Sequence, residues 1–86
     1  MYTIDRYVGA RVRQKRRSMG LSLEEVASSI GVTAETLAQY EEGTTHIPTG
    51  PMLALSRLFN VEPFYFFETL MNQLERLPPP SFRVLH

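Results

Sequence analysis

Six cations crowd the first twenty residues: Arg6, Arg11, Arg13, Lys15, Arg16 and Arg17, against Asp5 alone. From residue 21 onward the balance inverts. Arg57, Arg76 and Arg83 are outnumbered there by Glu24, Glu25, Glu35, Glu41, Glu42, Glu62, Glu68 and Glu75. The formal net charge of +0 is therefore an average over two unlike regions, and charge segregated this way can present one basic surface to an anionic partner. Catalytic chemistry has little to work with. His46 sits in a polar loop, His86 ends the chain, and neither a glycine-rich phosphate cradle nor a carboxylate–histidine metal pattern is present. The chain has no cysteine, which removes disulfides, thiolate metal sites and thiol nucleophiles together. No enzymatic role, metal, cofactor or small-molecule ligand is expected.

The elements that must carry these charges are punctuated by Gly, Asn and Pro. An 86-residue chain with 43% hydrophobic content supports one domain with a modest core. The longest apolar stretch, around 64–67, is too short for a bilayer, and the N-terminus lacks a signal-peptide layout, so a soluble cytoplasmic protein is expected. Five helices fit. The first spans about 4–18, with Ile4, Val8 and Val12 as its apolar stripe, a weak point at Gly9, and Gly20 as its left-handed stop. The second spans about 23–30 behind a Ser22-x-x-Glu25 capping box, with Val26, Ala27 and Ile30 inward. The third follows Thr33 as N-cap and runs to about Glu42, with Leu37 and Tyr40 inward and Gly43 ending it. A polar loop, 44–48, leads to a fourth helix capped by Thr49, lined by Met52, Leu55, Leu58 and Phe59, and stopped at Asn60. Pro63 opens a fifth, expected from Phe64 to about Leu77, and Pro78, Pro79 and Pro80 forbid its continuation. The domain is thus expected over 1–77, with a tail over 78–86.

Two short helices joined by the tight Gly31-Val32 turn form a helix-turn-helix over about 22–43, whose second helix is expected to enter the major groove of duplex DNA. Ala27 lets the two helices approach, while Val32 and Leu37 lock the second onto the scaffold. Helix–glycine–helix is common in bundles, so the surrounding positions carry the weight. Arg16-x-x-x-Gly20-Leu21-Ser22, Glu25-Val26-Ala27, Gly31-Val32, Tyr40-Glu41-x-Gly43, Pro48, Leu58-Phe59-Asn60-Val61 and Phe66-Phe67-Glu68 stand at many separately spaced positions along the chain. Together they closely resemble the phage repressor and Cro-like (xenobiotic-response-element type) helix-turn-helix regulators, from about Val8 to Phe67. The resemblance implies an all-α, lambda-repressor-like five-helix bundle with an extended C-terminal helix and short tail, and a bacterial or phage-like, nucleoid-associated setting.

It also implies roles. Thr33, Ala34, Glu35 and Gln39 match the groove-facing side of the recognition helix. Gln39 suits a bidentate contact to adenine, Thr33 and Ala34 a thymine methyl, and Glu35 a cytosine amino group. Ser22, Thr36, Thr44 and His46 match or adjoin phosphate-contacting positions, and Arg11, Arg13, Lys15 and Arg17 are available for phosphates as well. Arg16 and Glu41 correspond to a structural ion pair between the first and third helices. Two departures stand out: Leu23 replaces the Gln common at the start of helix two, and the recognition helix has glutamates but no Lys or Arg. Each missing phosphate contact lowers affinity and flattens its salt dependence.

Phe64, Phe67, Leu70, Met71, Leu74 and Leu77 recur at helical spacing. With Tyr65 and Phe66 they exceed what so small a domain can bury. A homodimer through Tyr65, Phe66, Leu70, Met71, Leu74 and Leu77 is expected, placing two recognition helices about one DNA turn apart, ~34 Å, on an inverted repeat. The alternative is a helix-turn-helix fold used as a protein-interaction or antitoxin-like module. The acidic recognition helix fits it, and a fold does not fix its function.

Overall fold

The computed structural model describes residues 4–67. They form α1 (Ile4–Ser18), α2 (Leu23–Ile30), α3 (Ala34–Glu42) and α4 (Thr49–Phe59), followed by a 3₁₀ turn at Pro63–Phe67. No strand occurs among the described residues.

All four helices stop by the same device. A left-handed residue follows each, directly at Gly31 (φ 78°), Gly43 (77°) and Asn60 (57°) and one residue later, after Met19, at Gly20 (71°). The next amide then reaches back five residues, from Leu21 to Arg16 O (3.1 Å), Val32 to Ala27 O (3.0 Å), Thr44 to Gln39 O (3.1 Å) and Val61 to Ser56 O (2.9 Å). This bond satisfies a carbonyl that the helix end would otherwise orphan and reverses the chain. Leu21, Val32 and Val61 then pack against the core. Thr44, at the equivalent place after α3, stays exposed.

The core draws on every element: Val8 and Val12 of α1, Val26, Ala27 and Ile30 of α2, Leu37 and Tyr40 of α3, Ile47 of the α3–α4 loop, Leu55 and Phe59 of α4, and Phe66 of the 3₁₀ turn. Full burial of a side chain such as Leu37 is worth about 1.5–3 kcal/mol relative to exposure. The helices α1 and α2 both pack on α3, while α4 lies against α2 and the 3₁₀ turn closes onto α1 and α4. Gly9 is no mere weak point in α1. A Cβ there would lie 2.7 Å from the backbone oxygen of Glu41, so the missing side chain is what lets α1 and α3 touch. Gly43 is required twice over, by its positive φ and by the backbone of Arg6 crossing where a Cβ would stand.

Three expectations are corrected. Helix α4 begins at Thr49 with Pro48 as its N-cap, not Thr49, because the Met52 amide already bonds to Pro48 O at 3.0 Å. The segment after Pro63 is a 3₁₀ turn where an α-helix was expected, opened by the short-range bond from the Tyr65 amide to Glu62 O at 2.8 Å. The extended helix to Leu77 and the tail 78–86 lie outside the described residues. Phe66 is wholly buried in its own chain's core, edge-on to Tyr65 and tilted against Phe59. It therefore leaves the apolar stripe expected to face a second copy.

Candidate nucleic-acid interface

The helix pair α2–α3 is held at both of its N-termini by side chains that the sequence places there. The Ser22 hydroxyl accepts from the Glu25 amide (3.0 Å), and the Glu25 carboxylate accepts from the Ser22 amide (2.8 Å), completing the capping box. The Thr33 hydroxyl accepts from the Thr36 amide (3.0 Å) and donates to Thr36 Oγ1 (2.9 Å). The Thr36 hydroxyl hydrogen is thereby left to donate elsewhere. Between the helices, Gly31 turns the chain and Val32 anchors it.

Helix α3 has two faces. Leu37, Tyr40 and Glu41 are buried. Glu35, Gln39 and Glu42 are exposed, with Ala38 half-buried between them, and the spacing i, i+3, i+4, i+7 puts all four on one stripe. Thr33 lies exposed at its start. Ala34 is half-buried and packs partly on the core, so only part of its methyl is offered outward. Ala38 was not singled out from sequence, although counting three residues on from Glu35 would have found it.

The stripe is anchored from behind by a buried ion pair. Arg16 Nε donates to Glu41 Oε2 at 2.7 Å and its Nη2 to Oε1 at 3.1 Å, while Nη1 donates to Leu21 O at 3.0 Å. One guanidinium thus ties α1 to α3 and to the α1–α2 turn. The hydrogen bond to Glu41 raises the Arg16 pKa above the ordinary arginine value, against the opposing effect of burial. The pairing implied by resemblance is present, and Arg13 joins it through a 3.3 Å contact from Nε to Glu41 Oε1.

The remaining α1 cations do not form one surface. Arg11 Nη2 donates to Tyr65 O at 3.2 Å, and its guanidinium carbon lies 4.4 Å from the centre of the Tyr65 ring, with Lys15 Nζ at 5.6 Å. These contacts engage Arg11 and Lys15 with the C-terminal turn, on the flank of α1 opposite Arg13 and exposed Arg17. His46 is highly exposed and its Nδ1 lies 2.8 Å from Asp5 Oδ1, linking the α3–α4 loop to the start of α1. The Thr44 hydroxyl donates to Gln39 O at 3.2 Å. Asp5, Leu21 and Thr45 entered the site only with the structure, because each acts on a residue reached through a turn or across the fold. Leu70, Met71, Leu74 and Leu77 lie outside the described residues.

A capped helix, a Schellman turn and a second helix with an outward polar stripe define a helix-turn-helix module. Comparison with known proteins agrees. The helix-turn-helix family model matches residues 12–66. An uncharacterized HTH-type transcriptional regulator of Sinorhizobium fredii is 35% identical over 71 residues, covering 83% of this chain and 50% of the relative. Another, from Rickettsia prowazekii, is 31% identical over 67 residues, covering 78% and 52%. The chain spans about half the length of the curated relatives it matches. Among solved structures, the restriction-modification controller protein C.AhdI from Aeromonas hydrophila superposes with TM-score 0.72 at 27% identity, covering 77% of this chain and all of that one (100%). The P22 c2 repressor, solved with a synthetic operator, superposes with TM-score 0.66 at 25% identity, covering 69% and 89%. This chain belongs to the phage repressor-like helix-turn-helix family of transcriptional regulators. Among its described residues no helix is long and apolar enough to cross a membrane.

Proposed function

We propose that this chain is a sequence-specific regulator that binds duplex DNA by placing α3 in the major groove, as a homodimer on an inverted repeat. The observation that carries this reading is the division of α3 into a buried face and an exposed polar stripe of Glu35, Gln39 and Glu42. Gln39 pairs with an adenine edge, Glu35 accepts from a cytosine amino group, and Thr33 with the exposed part of Ala34 meets thymine methyls. Phosphates are met by Ser22, Thr36 and His46 around the module, and by Arg13 and Arg17 on the near flank of α1, whereas both donors of Thr44 are already engaged by the Gln39 carbonyl. A protein of the same fold, the P22 c2 repressor, is bound to an operator in its crystal. The dimer forms through the C-terminal segment carrying Leu70, Met71, Leu74 and Leu77, with Tyr65 at its edge.

Because α3 has no Lys or Arg, each domain makes few charged phosphate contacts and depends on its twin for affinity. The test is recovery of bound sequences from a random duplex pool at low and moderate salt. Enrichment of half-sites one turn apart, weakening as salt rises, is expected, and Gln39→Ala then relaxes the preference at one base pair per half-site. Failure to enrich any sequence at low salt would overturn the reading. It would favour the second one, in which the exposed carboxylates of Glu35 and Glu42 make α3 a protein-binding face.

A further inference from the structure

The loop after α3 converges on a single residue of the outward stripe. The Thr44 amide (3.1 Å) and the Thr44 hydroxyl (3.2 Å) both donate to the main-chain oxygen of Gln39. The next residue, Thr45, directs its hydroxyl at the side-chain oxygen of the same glutamine, Gln39 Oε1, at 3.5 Å, a weak contact longer than an ordinary O–H···O bond that a small rotamer change of either side chain would close. Both threonines are exposed and neither belongs to the core. A glutamine on an open helix face samples many rotamers, and its amide offers an acceptor at one end and two donors at the other. Binding a base edge then requires ordering the side chain first.

We propose that Thr45 is a positioning residue for base readout: it holds the Gln39 amide before DNA arrives, so that the Nε2 donors and the second Oε1 lone pair face outward. Thr44 builds the bracket by seating the loop on the Gln39 carbonyl, and Thr45 uses it. The free amide pattern is one acceptor beside a donor, which is what the adenine major-groove edge complements through N6 and N7. This inference rests on the DNA-binding reading but makes a claim about the free protein as well. Loss of the hydroxyl leaves fold and phosphate contacts alone and lowers discrimination at the base pair that Gln39 reads.

Three variants test it: Thr45→Val, which removes the hydroxyl at nearly constant shape, Thr45→Ser, which keeps it, and Gln39→Ala. In the free protein, ¹⁵N relaxation of the Gln39 side-chain amide is expected to show restricted motion in wild type and Thr45→Ser, and fast averaging in Thr45→Val. On DNA, Thr45→Val is expected to lose about two- to tenfold in discrimination at the Gln39-dependent base pair, the span of one neutral hydrogen bond. Thr45→Ser restores it, and Thr45→Val adds nothing on top of Gln39→Ala. Unrestricted Gln39 motion in wild type overturns the proposal without reference to DNA. Equal loss of affinity on matched and mismatched sites, or unchanged discrimination, also overturns it. If wild type enriches no sequence while the amide is restricted, the DNA-binding reading fails and the readout role falls with it, leaving only the geometry.

Discussion

The two flanks of α1 carry neighbouring cations from one basic run, yet the fold uses them differently. On the flank toward α3, Arg16 and Arg13 converge on Glu41, a carboxylate that is almost entirely buried. On the other flank, Arg11 and Lys15 lie over the ring of Tyr65 without an acidic partner among the described residues. The first arrangement orients α3 and is intolerant of loss, because a buried charge stripped of its partner stays desolvated. The second covers an aromatic ring with two half-buried cations. A basic run in sequence is therefore not one phosphate-binding surface. The 100° step of the helix deals its members to separate tasks.

Breaking the first flank has the largest expected effect. Arg16→Ala should destabilise the fold by about 3–5 kcal/mol in urea unfolding, since it leaves Glu41 buried and largely unpaired. Replacing both partners, Arg16→Met with Glu41→Leu, should recover most of that loss. A cost below about 1 kcal/mol for Arg16→Ala would show that the pair does not anchor α3. The Arg16 pKa is raised, so its contribution is fully present below the unfolded arginine range and is lost only as pH climbs through the raised value. Changes of pH near neutrality therefore leave the charge of Arg16 itself untouched.

Arg13 sharpens the comparison, because it reaches the same carboxylate from a half-exposed position. Glu41 keeps its two bonds to Arg16 when Arg13 is removed. Arg13→Ala should cost less than about 1 kcal/mol of stability, while weakening DNA binding uniformly across sequences and reducing the salt slope by about 1. An unchanged slope would assign Arg13 wholly to the ion pair. The smallest effect on DNA binding belongs to the far flank. Tyr65→Leu should cost about 0.5–1 kcal/mol beyond its packing through the lost cation–π contacts and leave the salt slope as it was. A steeper slope would mean that the ring restrains Arg11 and Lys15 from phosphates.

Local chemistry was legible without coordinates. The spans of α1, α2 and α3 follow from caps and stops whose bonds reach three to five residues: Ser22 with Glu25, Thr33 with Thr36, and the left-handed Gly20, Gly31 and Gly43. The inward positions of α2 and α3 followed from period alone, whereas the outward face of Glu35 and Gln39 was implied by the resemblance. Where the local signal was ambiguous the reading slipped: Thr49 looked like a cap beside Pro48, and Pro63 looked like the start of an α-helix rather than a 3₁₀ turn. The Arg16–Glu41 pair was accessible only by resemblance, since 25 residues separate its members.

Tertiary structure alone decided which partner each long side chain takes. Nothing in the order of residues says that Arg11 stacks on Tyr65, that His46 meets Asp5, or that Phe66 fills the core instead of facing a second copy. Gly9 is the plainest case: read along the chain it weakens a helix, and in three dimensions it is where two helices meet. The physical reason is range. Capping, turn and periodicity energies are set within one or two turns of chain, so sequence states them. Partner choice is set by which surfaces the closed core brings within about 4 Å, and that distance exists only once the helices have packed.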